Sequence, residues 1–300
     1  MKNSEAIRIH LDNVEEFSRR AQISALQRDF EISELIDIVV RSSDSGDCHR
    51  AYNCLTELLP SATLKDKAML CLALAASPKH SEELRKRSFL TRDSIPAGAH
   101  GKISIVRNKY NEAAYGAFSE TVSNPKAVYA SSFTEACEDV FDGRCEFCIL
   151  PVENSQSGRL FGFYSMLDRY ELKICALCEL DGADPAESTH YALVGRSRPN
   201  RIPKRLAWRF ECAVIWDSGT ILGDISSFCQ AFEARLKKAD SLSVEYNEQL
   251  KKYYFTFEVS EKGLVGFDLL LSEEYATYVP LGLYPVVAKK GKNQDGKDNL

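Results

Sequence analysis

Apolar positions in the first ninety residues recur every three or four residues. Across Val14–Val40 they are Phe17, Ile23, Leu26, Phe30, Ile32, Leu35, Ile36 and Val39, the spacing of one helix face. Ser42–Gly46 breaks the pattern, and shorter helices are predicted at Cys48–Leu59, Leu64–Ala75 and Ser81–Ser88, with Pro60 stopping the first of them. Residues 1–95 are therefore expected to form a helical N-terminal domain, a bundle for packing or dimerisation. Thr91–Gly101 is built from small and turn-forming residues and reads as a linker.

The period then shortens. Ile103–Val106, Val128-Tyr129, Cys145–Leu150, Leu172–Leu177 and Tyr191–Val194 are short apolar runs of strand type. Helical stretches alternate with them: one starting at Phe118–Val122, one at Thr134–Phe141, one ending at Leu167. The run up to Tyr115 reads as a polar loop. Strands alternating with helices predict a parallel α/β lobe over residues 101–197. Pro151 is expected to end its strand, because it has no N–H to donate. Arg196–Lys204, with two prolines, reads as a second linker. Beyond it come strand Trp208–Ile215, helix Ile221–Lys237, strands Ser241–Tyr246 and Tyr253–Val259, helix Leu264–Tyr275 and the closing Leu281–Val287. This βαββαβ order over residues 205–288 is that of a ferredoxin-like plait. The fold class is α/β and α+β, and residues 289–300 are polar enough to be disordered.

Composition narrows the function. The 300 residues are 44% hydrophobic and 27% charged, ordinary material for buried cores. A formal charge of −5 argues against nucleic acid as the partner. No apolar run reaches the length of a membrane span. The first residues lack the apolar core of a secretory signal, so cytoplasmic residence is the expectation. Ten cysteines include two Cys-x-x-Cys pairs, Cys145/Cys148 and Cys175/Cys178. Such spacing can hold zinc. Both pairs lie in strand-like runs without the tight turn that zinc needs, which favours buried thiols.

Candidate chemistry gathers at Pro151–Gly158, Pro-Val-Glu-Asn-Ser-Gln-Ser-Gly. A carboxylate, an amide and two hydroxyls follow a strand's carboxyl end, where open α/β sheets hold ligands. The plainer alternative is a βα loop with Ser155 or Ser157 as helix N-cap.

This loop, with the helix and strand before it, resembles prephenate dehydratase. Gly116-Ala117-Phe118-Ser119-Glu120 resembles that family's Gly-Thr-Phe-Ser loop, and Thr189-His190-Tyr191 resembles its Thr-Arg-Phe motif. Leu281-Gly282-Leu283-Tyr284-Pro285 resembles the end of its regulatory ACT domain. The resemblance implies a periplasmic-binding-protein-like α/β lobe followed by a C-terminal ACT domain. It implies Thr189, Glu153, Asn154 and Ser157 as catalytic residues, and Ser119, Ser155 and His190 as substrate-binding ones. Gly219, Thr220, Leu222 and Glu245 fall where the ACT domain would hold a regulatory amino acid. The reaction needs no cofactor, since expelling CO2 and water gains an aromatic ring. The implied partners are prephenate, phenylalanine and a second copy of the chain, paired through the ACT-like domain.

Three departures are visible. Ala117 stands where the family has a threonine, and His190 where it has an arginine, whose planar fork suits a carboxylate better than imidazole. Only 36 residues separate Glu153 from Thr189, whereas the family places a whole second lobe there. The lobe is thus expected to be truncated, its cleft half open, and turnover weak or absent. An active dehydratase completed by the N-terminal helices is the alternative, and a purely structural dimerisation module is a third.

Overall fold

The structure is a computed structural model. It describes residues 2–87, 101–154, 156, 158–181, 188–196, 208–217, 221–244 and 247–287. The expected linkers at 91–101 and 196–204 and the tail lie almost wholly outside the described residues. Two compact units result.

The first unit is helical. Its members are α1 (Lys2–Ser42), α2 (Cys48–Leu58), α3 (Leu64–Ala76) and α4 (Pro78–Arg87), joined by the later helix α9 (Glu261–Glu274). Asp47 caps α2 by accepting from the Arg50 N–H. Thr63 and Asp66 form a reciprocal capping box on α3, which satisfies donors that a helix start leaves orphaned. The Asp66 carboxylate also takes a two-pronged bond from Arg28 at 3.1 and 2.7 Å. Ile32, Ile36, Val39 and Val40 of α1 are buried, whereas Ile23, Leu26 and Phe30 are exposed; from Ile23 onward, the periodic stripe is core at its C-terminal end. Glu273 and Glu274 of α9 bond His49 and Lys67, each at 2.6 Å, and Glu274 also accepts from Tyr52.

The second unit is a ten-stranded sheet with its helices. In chain order it comprises β1 (Lys102–Val106), α5 (Lys109–Phe118), β2 (Lys126–Ala130), α6 (Phe133–Phe141), β3 (Phe147–Asn154), β4 (Gly158–Arg159), α7 (Phe161–Tyr170), β5 (Lys173–Asp181) and β6 (Ser188–Gly195). Then come β7 (Trp208–Asp217), α8 (Ile221–Cys229), β8 (Arg235–Val244), β9 (Asn247–Glu258) and β10 (Val279–Val287). The strand order is β2-β1-β3-β6-β5-β10-β7-β9-β8, with β4 paired to β3. Its last four strands follow the order of a ferredoxin-like plait and pair antiparallel. The lobe is mixed rather than all parallel, because β6 runs antiparallel to both neighbours.

The lobe and the plait share one sheet, because β10 also pairs in parallel with β5. Gly282 makes that seam possible: a Cβ there would stand 2.4 Å from the Ile174 carbonyl oxygen. Two cores flank the sheet. One packs beneath α6 and α7 and includes Cys148, Leu150, Val152, Ala192 and Val194. The other packs beneath α5 and includes Phe147, Ile149, Leu180, Tyr191 and Leu193.

Local expectations shift in three places. The polar run to Tyr115 is helix α5, started by Asn108, whose side chain accepts from the Tyr110 and Asn111 N–H groups; Phe118 is where that helix ends. The helix expected to reach Lys237 stops at Cys229, and β8 begins at Arg235. Pro151 lies inside β3, not at its end. The β1 pairing ends at Cys148, so the N–H that proline lacks falls where that ladder has lapsed. No described helix is long and apolar enough to cross a membrane.

Candidate functional site

The Pro151–Gly158 segment is a β-hairpin rather than a loop into a helix. Asn154 pairs with Gly158 and Glu153 with Arg159, and Gly158 supplies the positive φ of +69° at the turn's exit. Helix α7 starts at Phe161, with Leu160 at its N-cap and no side-chain cap. Ser155 and Ser157 lie outside the described residues.

Strand β6 brings the other motif alongside. Glu153 pairs with His190 and Asn154 with Thr189. Paired residues share a face, and neighbours along a strand take opposite faces. The register shifts between Pro151 and Glu153, so Val152 is a bulge residue. Without that extra residue Glu153 would turn toward α5. With it, Glu153 and His190 face the α7 side, while Asn154 and Thr189 take the α5 side with Tyr191. The four residues expected to act together are divided by the sheet. Ser119 joins neither group: it caps the C-terminal end of α5 and donates to the Gly116 carbonyl at 2.8 Å. That end lies about 15 Å along the helix from Lys109, at 1.5 Å per residue.

On the α7 side, Glu153 and His190 open onto a cavity of about 230 Å³. Val152, Arg159 and Leu177 line it from the lobe, and Arg209, Glu211, Lys237, Lys238, Thr256 and Tyr284 from the plait strands. An open half-cleft was the expectation; on this side the plait sheet supplies the opposing wall. A second register shift, between Leu236 and Lys238 of β8, falls on the same cavity.

Its floor is a buried charge network. Glu211 is 2% exposed. It accepts from Arg159 Nη1 at 3.0 Å and from the Tyr164 and Tyr284 hydroxyls, each at 2.5 Å. Arg159 also donates to Thr256 Oγ1 at 3.1 Å and holds Asp240 at 2.8 Å. A buried carboxylate survives only with such partners. Burial, then the Glu211 charge, pushes both tyrosine hydroxyls well above their ordinary range, so both stay protonated as donors. Burial opposes the Arg159 charge, but Glu211 leads a set of neighbours that raises its pKa overall. Above the floor, Lys238 bonds Glu153 at 2.6 Å. Burial alone would raise the Glu153 carboxyl; the Lys238 bond and charge, with His190 and Arg159 behind them, hold it below its ordinary value.

On the α5 side, the chemistry is sparser. Asn111 is fully buried in the first turn of α5 and donates to the Val106 carbonyl at 2.9 Å, while its Oδ1 has no partner. Of the residues expected to bind a regulatory amino acid, Leu222 is an exposed residue of α8; Gly219, Thr220 and Glu245 lie outside the described residues. Among the described residues, no three His, Cys, Asp or Glu side chains converge to hold a metal ion. The two Cys-x-x-Cys pairs sit in different cores, on opposite faces of the sheet, and burial pushes the Cys178 thiol up to about 12.

Arg159, Arg209, Glu211 and the two lysines escaped the sequence reading. One signal was available: Glu211 interrupts the apolar run Phe210–Ile215, and a carboxylate in a buried strand demands a cation.

A family model described as prephenate dehydratase matches residues 109–181. The X-ray structure of prephenate dehydratase from Streptococcus mutans superposes with a TM-score of 0.52 at 21% identity, covering 62% of this chain and 98% of that one. A structure titled as GqqA, a novel type of quorum quenching acylase, gives 0.49 at 16%, over 62% of this chain and 96% of its own. Prephenate dehydratase from Arthrobacter aurescens in complex with L-Phe gives 0.47 at 13%, over 61% and 90%. A comparison with curated proteins returns no match.

Proposed function

We propose, for a chain whose residues 109–181 match the prephenate dehydratase family model, a place in phenylalanine metabolism with weak or no dehydratase turnover. Its work is then to bind a small aromatic acid or amino acid, or a partner protein, as a cytoplasmic homodimer paired through the ACT-like plait. One observation carries this reading. Thr189 and Asn154 are separated by the sheet from Glu153 and His190, so the motif residues do not converge on one substrate. Dehydration of prephenate requires a proton donor and two carboxylate clamps on the same molecule.

The second reading is an active dehydratase in which Thr189 is the catalytic residue. An assay of purified protein separates the two. The first reading expects little prephenate turnover to phenylpyruvate, with Thr189→Ala changing it less than about tenfold. Robust turnover that falls at least about a hundredfold in Thr189→Ala, equivalent to about 2.7 kcal/mol of transition-state stabilisation, would overturn it.

A further inference from the structure

The cavity between Glu153 and Tyr284 is bounded by cations that are not equally engaged. Arg159 is held by Glu211 and Asp240, and Lys238 by Glu153. Among the described residues, Lys237 has a loose contact with Glu258, at 3.6 Å, with both side chains partly exposed. Arg209 differs. It is half-buried and lines the cavity; Glu258 lies opposite it in the β7–β9 ladder but reaches toward Lys237, and among the described residues no carboxylate forms an ion pair with Arg209. A guanidinium offers five fixed donors and stays charged, so an empty fork facing a cavity calls for an anion.

The remaining wall decides which anion. Val152, Leu177 and the Tyr284 ring give it an apolar side, while Glu153 and Glu211 are carboxylates within the same lining. Glu211 takes up Arg159 and Glu153 takes up Lys238, which leaves the Arg209 fork to seat one carboxylate and no second fixed fork for a dianion such as a phosphate monoester or a dicarboxylate. The volume, about 230 Å³, is below the ~300–1,000 Å³ of pockets for drug-sized ligands, which suits a small acid. The two strand bulges meet here, at Val152 and Lys237, as bulges do where a strand must re-aim side chains at a site.

We infer that this cavity is a binding site for a small apolar monocarboxylate. Its carboxylate docks on the Arg209 fork, its polar substituent reaches Lys237 or His190, and its hydrocarbon body rests on Val152 and Leu177. The site does not depend on the dehydratase reading, since neither Thr189 nor Asn154 borders it. It also disfavours prephenate, a dianion, as its occupant.

Calorimetric titration of the full chain tests this with phenylpyruvate, 3-phenylpropionate and benzoate as monocarboxylates, phthalate as dianion and 3-phenylpropanol as neutral control. At least one monocarboxylate is expected to saturate with a Kd below about 1 mM, and the two controls to bind at least about tenfold more weakly. Arg209→Gln is expected to weaken that monocarboxylate about tenfold or more while unfolding at nearly the wild-type temperature. Arg209→Lys, which restores the charge without the fork, is expected to recover part of the affinity. Failure of all three monocarboxylates to bind overturns the inference, as does equal affinity in Arg209→Gln or for the dianion. Turnover in the Thr189→Ala assay judges the dehydratase reading alone, so either proposal can fail without the other.

Discussion

On its α5 face, the sheet carries Asn154 and Thr189, and the helix packed on that face holds a buried amide, Asn111, whose oxygen is unpaired. On its α7 face, one residue away along each strand, Glu153 and His190 meet a cavity floored by a carboxylate with three donors. The first face is built mostly from apolar packing with a few amides and hydroxyls. The second is built from charge that must stay paired to stay buried. A single bulge at Val152 decides which face receives Glu153, so a motif in the sequence does not name the surface it serves.

The comparison is broken most severely at Glu211. Glu211→Ala leaves Arg159 and two tyrosine hydroxyls facing a void, and should cost about 3–5 kcal/mol; the shift of the urea midpoint at constant slope measures it. A loss under about 1 kcal/mol would show that the network is not under load. Next comes the seam between lobe and plait. Gly282→Ala pushes a methyl against the Ile174 carbonyl and should destabilise by about 1–3 kcal/mol, with amide exchange rising first along β5 and β10. On the quieter face, Asn111→Ala removes the bond to Val106 and should cost only about 1 kcal/mol.

The smallest effect is electrostatic and depends on pH. The Glu153 carboxyl is held below its ordinary value of 4.5. It therefore adds stability above that value and loses it as pH falls through the lower folded value. Lys238→Met should be nearly neutral in low-pH melts and mildly destabilising near pH 7. A variant whose deficit grows on acidification would contradict the assignment.

Much of the architecture could be read from periodicity. The strands of the lobe, the plait order and the N-terminal helices all carry their pattern in the sequence. What could not be read was register. Lys109–Tyr115 looks polar because α5 presents half its surface to water, yet Asn108 is a good N-cap and Ala114 and Phe118 are buried. Helix-like spacing ran through Arg235–Lys237, but Glu233 takes a left-handed backbone, and the chain leaves as a strand whose charged residues meet the cavity. For the site, Glu153, Asn154, Thr189 and His190 came from two separate motifs, and β3 and β6 pair them. Their division between faces depends on the bulge, which has no marker beyond Pro151. The plait's contribution was invisible because Arg209 and Glu211 lie fifty or more residues from the hairpin, and pairing across β10 and β5 brings them there.

That pairing has a mechanical consequence. Strand β10 is bonded to β5 on one edge and β7 on the other, so no hinge lies between the hairpin and the wall it faces. Swinging one half away from the other would unzip a ladder of backbone bonds rather than flex a tether. A molecule entering or leaving must therefore pass by the rotation of side chains at the rim, Lys237 among them, and its exchange rate should track side-chain rather than domain motion.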